Sequence, residues 1–170
     1  MDNKLKPTRY YKDIYSINYE LLKQENIKYL LFDLDNTIGD SREKTPSEKA
    51  IKLFKELKKD FVPIIITNAL PGRTKRYAEA LNVDAYCLSS KPRKRNYLKI
   101  IEKYNINIDQ AVCIGDQIYT DIIGANNLGI KSIFLDRLSK YESVLSKPNR
   151  IREKVLVYKR EVIKRGEYYE

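Results

Sequence analysis

The sequence contains no histidine among its 170 residues. This absence excludes a histidine general base, a histidine-containing catalytic triad and a histidine-ligated zinc centre. Any catalysis must therefore use carboxylates, lysine, tyrosine, threonine or cysteine. Cysteine is also scarce: Cys87 and Cys113 each lie in an apolar run, which favours buried thiols over a disulfide or a metal site. A reducing cytoplasm fits this usage of cysteine.

Long apolar runs are missing as well. No run approaches the roughly 18 residues that a membrane span requires, and residues 1–7 lack the apolar region of a secretory signal. We therefore expect a cytoplasmic protein. The length and the hydrophobic content of 42% suit a single domain over residues 1–170, with its core at about 27–136.

Charge of negative sign is in short supply. The 33 lysines and arginines outnumber the 23 aspartates and glutamates, which gives a net charge of +10. Such a balance favours anionic partners such as phosphates, nucleic acid or acidic lipid, although the same excess also serves solubility alone. Of these partners, nucleic acid is the less favoured.

The two ends of the chain each allow two interpretations. The N-terminal arm, residues 1–26, is rich in tyrosine, and we expect it to pack across the sheet; the alternative is an interfacial tyrosine-rich surface. Residues 149–166 predict a basic amphipathic helix with Ile151, Val155 and Val162 on its apolar side. Its basic face is either solvated or binds an anionic surface, including the inner face of a membrane.

Between these ends, short apolar runs alternate with helical patterns. This alternation predicts an α/β fold, a doubly wound parallel sheet of about five strands. The helix after the first strand has Thr45 as its predicted N-cap, Pro46 at its first position and Glu48 completing a capping box. The loops leave no room for a cap domain. The predicted strands are residues 29–32, 61–66, 84–88, 111–114 and 130–135.

Polar side chains follow four of these strands. In a parallel sheet the four strand ends lie on one edge, where ligands bind, so we expect these side chains to converge. After the first strand, Asp33 and Asp35 point to one face and repel each other unless a cation or a proton compensates them. On its own this pair is equally compatible with a simple acidic turn. The polar residues are Asp33, Asp35 and Thr37; Thr67 and Asn68; Lys91; and Asp116 and Asp121.

Taken together, the four motifs resemble the haloacid dehalogenase superfamily of aspartate-nucleophile phosphohydrolases. The resemblance covers residues 28–136 and has the motifs in the family's order. A narrower similarity is to the YqeG-type branch of subfamily IIIA, which is related to phosphatidylglycerophosphate phosphatases. It rests on the string Gly-Asp-Gln-x-x-Thr-Asp at 115–121, the Lys91-Pro92 pair and Asn149-Arg150-x-x-Glu153.

The resemblance implies a role for each residue. Asp33 is the expected nucleophile, which forms an aspartyl-phosphate, and Asp35 the expected general acid and base. Thr67 and Asn68 are expected to donate hydrogen bonds to the phosphoryl group, and Lys91 to balance its charge.

The implied ion is Mg²⁺, because every available ligand is a hard oxygen. Its expected ligands are Asp33, Asp116 and the backbone carbonyl of Asp35. Asp121 is expected to hold a metal-bound water or orient Lys91, unless it is only an acid favoured by a helix N-terminus. Thr37 is assigned to substrate binding, against the alternative of a plain turn hydroxyl.

Without a cap the predicted site is open, which suits a bulky substrate. The favoured hypothesis is a Mg²⁺-dependent phosphatase of phosphatidylglycerophosphate at the membrane surface. The alternative is a soluble phosphatase that acts on a sugar phosphate, a nucleotide or a nucleic-acid end. A non-catalytic binding protein is the third hypothesis, and the intact pair Asp33 and Asp35 argues against it.

Overall fold

The structure, a computed structural model, describes residues 4–141, 151, 153, 155 and 163–170. Strands and helices alternate along the chain. The strands are β1 (Arg9–Tyr11), β2 (Tyr29–Phe32), β3 (Val62–Ile66), β4 (Asp84–Tyr86), β5 (Ala111–Gly115) and β6 (Lys131–Leu135). The helices are α1 (Tyr19–Gln24), α2 (Glu48–Leu57), α3 (Pro71–Leu81), α4 (Lys94–Lys103) and α5 (Ile123–Asn126).

All neighbouring strands pair in parallel, in the order β1-β6-β5-β2-β3-β4. The predicted doubly wound parallel sheet is confirmed. Strand β2 lies between β5 and β3, so the chain leaves β2 at the centre of the sheet edge. The segments from β2 to β3 and from β3 to β4 each hold one helix, α2 and α3, and neither holds a cap domain.

The sheet has six strands, whereas the sequence predicted five. The sixth is β1, in the N-terminal arm, where Arg9 aligns with Ile133 and Tyr11 with Leu135 of β6. The arm therefore extends the sheet instead of packing across it. Tyr10 and Tyr11 are buried, so these two tyrosines do not form the alternative interfacial surface. A three-residue strand carries too little periodicity to be recognised in a sequence.

Successive residues of the central strands supply two cores, one on each side of the sheet. Leu30 and Phe32 of β2 pack in a cluster with Phe54 of α2 and Tyr77 of α3. Leu31, between them in sequence, packs on the other side in a cluster with Tyr97 of α4. Such two-sided burial explains why the strands are nearly continuous apolar runs, and it anchors the strand ends that carry the polar motifs.

Several predicted boundaries differ from the structure. Helix α2 is capped by Ser47, not Thr45, because the Ser47 Oγ accepts a hydrogen bond from the Ala50 N–H at 3.2 Å. Strand β4 ends at Tyr86 and not at residue 88, since Leu88 adopts a left-handed φ of 47°. After β5 the chain forms a π-helical turn, Ile118–Ile122, followed by the short α5.

The predicted basic C-terminal helix, 149–166, lies mostly outside the described residues. Ile151, Glu153 and Val155 are helical, whereas residues 163–166 are not, so the helix ends earlier than predicted. Ile151 and Val155 were assigned to its apolar side, yet both are exposed, and Glu153 is the buried residue. No helix among the described residues combines the length and apolar character needed to cross a bilayer.

Candidate active site

Three carboxylates meet at the C-terminal edge of the sheet. Asp33 directly follows β2, and its backbone N–H still donates to the Ile114 carbonyl of β5 at 2.8 Å. Asp116 directly follows β5, and Asp121 lies in the π-helical turn after it. All three are buried, and one carboxylate oxygen from each lies within 4.8 Å of the others. The predicted convergence of the first and fourth motifs is therefore present.

Lys91 lies between two of these carboxylates. Its Nζ donates to Asp33 Oδ1 and to Asp121 Oδ1, each at 2.6 Å. Burial alone would lower the pKa of Lys91, but the charges of Asp121 and Asp33 outweigh burial and raise it. Burial raises the pKa of Asp121, against the opposing effect of Lys91. The result is a buried ammonium group that partly neutralises an acidic cluster.

A glycine allows Asp121 to reach this position. A Cβ at Gly115 would lie 2.3 Å from the Asp121 Oδ2, so only glycine fits there without displacing the carboxylate. The same Oδ2 accepts a hydrogen bond from the Gln117 N–H at 3.1 Å. The Gly-Asp-Gln string thus shapes the backbone around Asp121 as well as supplying Asp116.

Asn68 holds the segment that carries Lys91. Its Oδ1 accepts from the Lys91 N–H at 2.9 Å, and its Nδ2 donates to the Lys91 carbonyl at 3.3 Å. These contacts orient Lys91 and differ from the phosphoryl contact expected of Asn68. Thr67 is buried, and its Oγ accepts from the Ala69 N–H at 3.1 Å. A hydroxyl that accepts in this way can still donate its own proton.

Thr37 and the turn before it support Asp33. The Leu34 carbonyl accepts from the N–H groups of Thr37, Ile38 and Gly39 at 3.0–3.3 Å, which folds the loop tightly over the end of β2. Asn36 adopts a left-handed φ of 61° within this turn. The Thr37 Oγ then lies 3.4 Å from Asp33 Oδ2.

Asp35 is paired with an arginine that the sequence analysis did not single out. The Arg73 Nε donates to Asp35 Oδ1 at 2.7 Å, and the Arg73 Nη2 donates to the Asp40 carbonyl at 2.8 Å. The guanidinium also stacks over the Tyr77 ring at 4.6 Å. Burial and the charge of Asp33 raise the pKa of Asp35, while Arg73 opposes the rise.

The sequence position of Arg73 could have indicated that this residue belongs to the site. It lies in the first turn of α3, directly after the loop that carries Thr67 and Asn68, and therefore at the same sheet edge.

The donor set fits a hard divalent cation. The clustered carboxylates of Asp33, Asp116 and Asp121 supply only oxygen, as Mg²⁺ prefers. Of the four predicted metal-site residues, Asp35 is the one whose carboxylate is not part of this cluster; it turns to Arg73 instead. Its backbone carbonyl was the predicted ligand, and that prediction does not depend on the carboxylate.

Comparison with known proteins identifies the class of protein. A family model described as haloacid dehalogenase-like hydrolase matches residues 13–129. The "Probable phosphatase YqeG" of Bacillus subtilis is 27% identical over 145 residues, which cover 85% of this chain and 84% of that protein.

Solved structures share the fold at low identity. The HAD hydrolase YfnB from Bacillus subtilis, bound to magnesium, has a TM-score of 0.57 and 14% identity, covering 70% of this chain and 91% of that one. The HAD family enzyme BT-2542 from Bacteroides thetaiotaomicron, in complex with magnesium and inorganic phosphate, has a TM-score of 0.55 and 13% identity, covering 68% and 98%.

The parallel α/β fold, the family match and the phosphatase name of the Bacillus subtilis relative together support the predicted class, a phosphatase of the hydrolase type. The chain belongs to the haloacid dehalogenase-like hydrolases.

Proposed function

We propose that the protein is a Mg²⁺-dependent phosphomonoester hydrolase that dephosphorylates phosphatidylglycerophosphate at a membrane surface. The observation that carries the catalytic part is the contact of Lys91 with both Asp33 and Asp121, at 2.6 Å each, beside Asp116. This cluster of three carboxylates is itself negatively charged. It can bind a dianionic phosphoryl group only if the lysine and a bound cation offset the negative charge of the carboxylates.

In the proposed mechanism Asp33 attacks the phosphorus atom, and the bond from phosphorus to the leaving oxygen breaks. Asp35 supplies the proton that the leaving alkoxide takes up. The buried setting that raises the pKa of Asp35 helps it to carry that proton. Asp35 then removes a proton from the water that attacks the aspartyl-phosphate, which releases inorganic phosphate and restores the Asp33 carboxylate.

Asp33, Asp116 and the Asp35 carbonyl would hold the Mg²⁺ ion, and Asp121 would hold Lys91 or a metal-bound water. When bound, Mg²⁺ supplies positive charge to offset the phosphoryl oxygens and the attacking carboxylate. Two fold neighbours, YfnB and BT-2542, bind magnesium in their structures, which supports this choice of ion. Thr67 and Lys91 would bind the phosphoryl oxygens as charge accumulates.

The lipid substrate is supported by the size of the loops and by the resemblance to the YqeG-type branch. The two described segments beside the site, from β2 to β3 and from β3 to β4, each hold a single helix, and neither forms a folded insertion that would enclose a small metabolite. The net charge of +10 suits an anionic substrate surface.

The test is phosphate release from phosphatidylglycerophosphate, glycerol 3-phosphate, a nucleoside monophosphate and a 5′-phosphorylated oligonucleotide, each with Mg²⁺ and with a chelator. We expect Mg²⁺-dependent release with the highest kcat/KM for the lipid. A higher kcat/KM for any soluble substrate would overturn the lipid assignment, and equal release with the chelator would overturn the metal assignment.

A further inference from the structure

Two exposed leucines lie beside the catalytic edge on adjoining loops. Leu70 is 63% exposed in the loop after β3, and Leu88 is 53% exposed in the loop after β4. The Leu88 N–H donates to the Ala69 carbonyl at 3.3 Å, and the Ser89 N–H donates to the Thr67 carbonyl at 3.0 Å. The two loops are therefore bound to each other and to the segment that carries Lys91.

Local folding preferences do not account for either leucine. Leu70 is the N-cap residue of α3 and makes no side-chain capping bond, at a position where Ser, Thr, Asn or Asp stabilises a helix. Leu88 has a left-handed φ of 47°, a conformation that favours glycine or asparagine and strains leucine. Both side chains are more than half exposed, so each position holds a residue that the local backbone disfavours and that is not part of the buried core.

Helix α4 shows a similar mismatch at its start. Arg93 is its N-cap residue and makes no side-chain capping bond, Lys94 and Arg95 follow, and no acidic residue lies in the first turn. All three basic residues are exposed. Positive charge at a helix N-terminus opposes the helix dipole, which favours anions there. An anionic partner bound at this end of α4 would offset the unfavourable interaction between the basic side chains and the helix dipole.

The charge around these loops is one-sided. Residues 67–78 and 85–101 contain eight lysines and arginines and no aspartate or glutamate. We define the leucine–arginine rim as Leu70, Leu88, Arg93, Lys94 and Arg95. It combines exposed apolar side chains with basic side chains, on the loops that follow β3 and β4 at the sheet edge where Asp33 lies.

We propose that the leucine–arginine rim docks on the surface of an anionic lipid bilayer. Leu70 and Leu88 enter the interfacial region, and Arg93, Lys94 and Arg95 bind lipid phosphates. The apolar pair favours a bilayer over nucleic acid, whose backbone gives exposed leucines no apolar layer to enter. This inference rests on the proposed function for its purpose, since docking would present a head-group phosphate to Asp33, but the binding can be measured without any reaction.

The experiment measures cosedimentation of the full-length protein with vesicles of phosphatidylglycerol and, separately, of phosphatidylcholine, in the absence of Mg²⁺. We expect binding to the anionic vesicles only. Replacing Arg93, Lys94 and Arg95 by Glu should weaken binding by about a hundredfold or more, because each basic residue near such a surface contributes roughly a fivefold factor.

The second part of the experiment replaces the two leucines by residues that suit the local backbone. Leu70→Ser supplies a helix cap and Leu88→Asn suits the left-handed φ, so the double variant should unfold at the same temperature as the wild type or higher. It should nevertheless bind anionic vesicles at least about tenfold more weakly, since two apolar side chains no longer enter the interface. Hydrolysis of the soluble ester p-nitrophenyl phosphate should stay within twofold of the wild type.

The control variants make the same types of substitution on surfaces away from the leucine–arginine rim. Ile108→Gln removes an exposed apolar side chain before β5, at the opposite edge of the sheet. Reversal of the exposed Lys52, Lys55 and Lys59 to Glu equals the rim variant in charge change. Both controls should keep most of the vesicle binding.

The proposal is overturned if the wild type does not bind phosphatidylglycerol vesicles, if the leucine variant binds them as well as the wild type, or if the control charge reversal weakens binding as much as the rim reversal. Tighter binding to a single-stranded oligonucleotide than to vesicles, unaffected by the leucine changes, would overturn it in favour of nucleic acid. Rim-dependent vesicle binding without hydrolysis of phosphatidylglycerophosphate would support the docking surface and refute the proposed substrate.

Discussion

Removal of the buried ammonium group tests how the acidic cluster is held together. In Lys91→Met the side chain keeps its length, but Asp33 and Asp121 lose a partner that each contacts at 2.6 Å. The Lys91 side chain is only 2% exposed, so water cannot replace it. Leaving buried charge without its partner costs about 3–5 kcal/mol. For a chain of this size that corresponds to a fall in the unfolding temperature of roughly 6–20 °C.

The assay is thermal unfolding followed by circular dichroism, without divalent cation. Lys59→Met is the matched control, because Lys59 pairs with Glu56 at 2.5 Å while both side chains are more than 60% exposed. Exposed pairs contribute at most about 1 kcal/mol, so this control should change little. An unfolding temperature for Lys91→Met as high as that of the control would refute the account of the cluster.

The effect of Lys91→Met should also depend on pH. Burial already raises the pKa of Asp121, and loss of the lysine raises it further. A carboxyl group with a raised pKa binds more protons in the folded state than in the unfolded state, so stability falls as pH rises. The difference in unfolding temperature between Lys91→Met and the wild type should therefore be larger at about pH 8 than at about pH 5. Saturating Mg²⁺ should reduce the difference by restoring positive charge.

Two further substitutions test other parts of the site. In Asp116→Ala the Mg²⁺ concentration for half-maximal activity should rise about tenfold or more, and Mg²⁺ should no longer raise the unfolding temperature as it does for the wild type; an unchanged titration would remove Asp116 from the metal site. In Arg73→Gln the pKa of Asp35 should rise, because its opposing cation is gone, so the alkaline limb of the kcat profile should move to higher pH. Arg76→Gln, which loses a hydrogen bond to the Lys44 carbonyl on the surface, should leave that limb in place.

The sequence predicted the central strands and the convergence of the motifs because both depend on strong local signals. Apolar runs such as Tyr29–Phe32 followed at once by polar residues place Asp33 at a strand end, and parallel pairing then brings Asp116 beside it. Strand β1 was missed because its pairing partner, β6, lies more than 100 residues away and its three residues have no pattern of their own.

The details of the site were harder to predict because they depend on side-chain contacts between elements. The sequence places Arg73 at the same sheet edge as Asp35, but it does not show that the two side chains pair, since an arginine in the first turn of a helix is ordinarily solvated. Asn68 was expected to contact phosphate, but its amide fits the backbone of Lys91 on the neighbouring loop. The N-cap of α2 was predicted wrongly because Thr45 and Ser47 are both favourable N-cap residues, and only the folded structure shows which of them caps the helix.

The central claim is that Asp33 forms a covalent bond to phosphorus, and one measurement tests it most directly. The wild type and Asp33→Asn would each be mixed with Mg²⁺ and p-nitrophenyl phosphate, and phosphate release followed in freshly purified protein, with Asp60→Asn at an exposed position as the control. An amide cannot form an acyl-phosphate, so the account predicts no release above background for Asp33→Asn, an unchanged unfolded fraction, and full activity for Asp60→Asn. Release by Asp33→Asn at a rate near that of the wild type, with mass spectrometry showing that the asparagine has not deamidated, would contradict it.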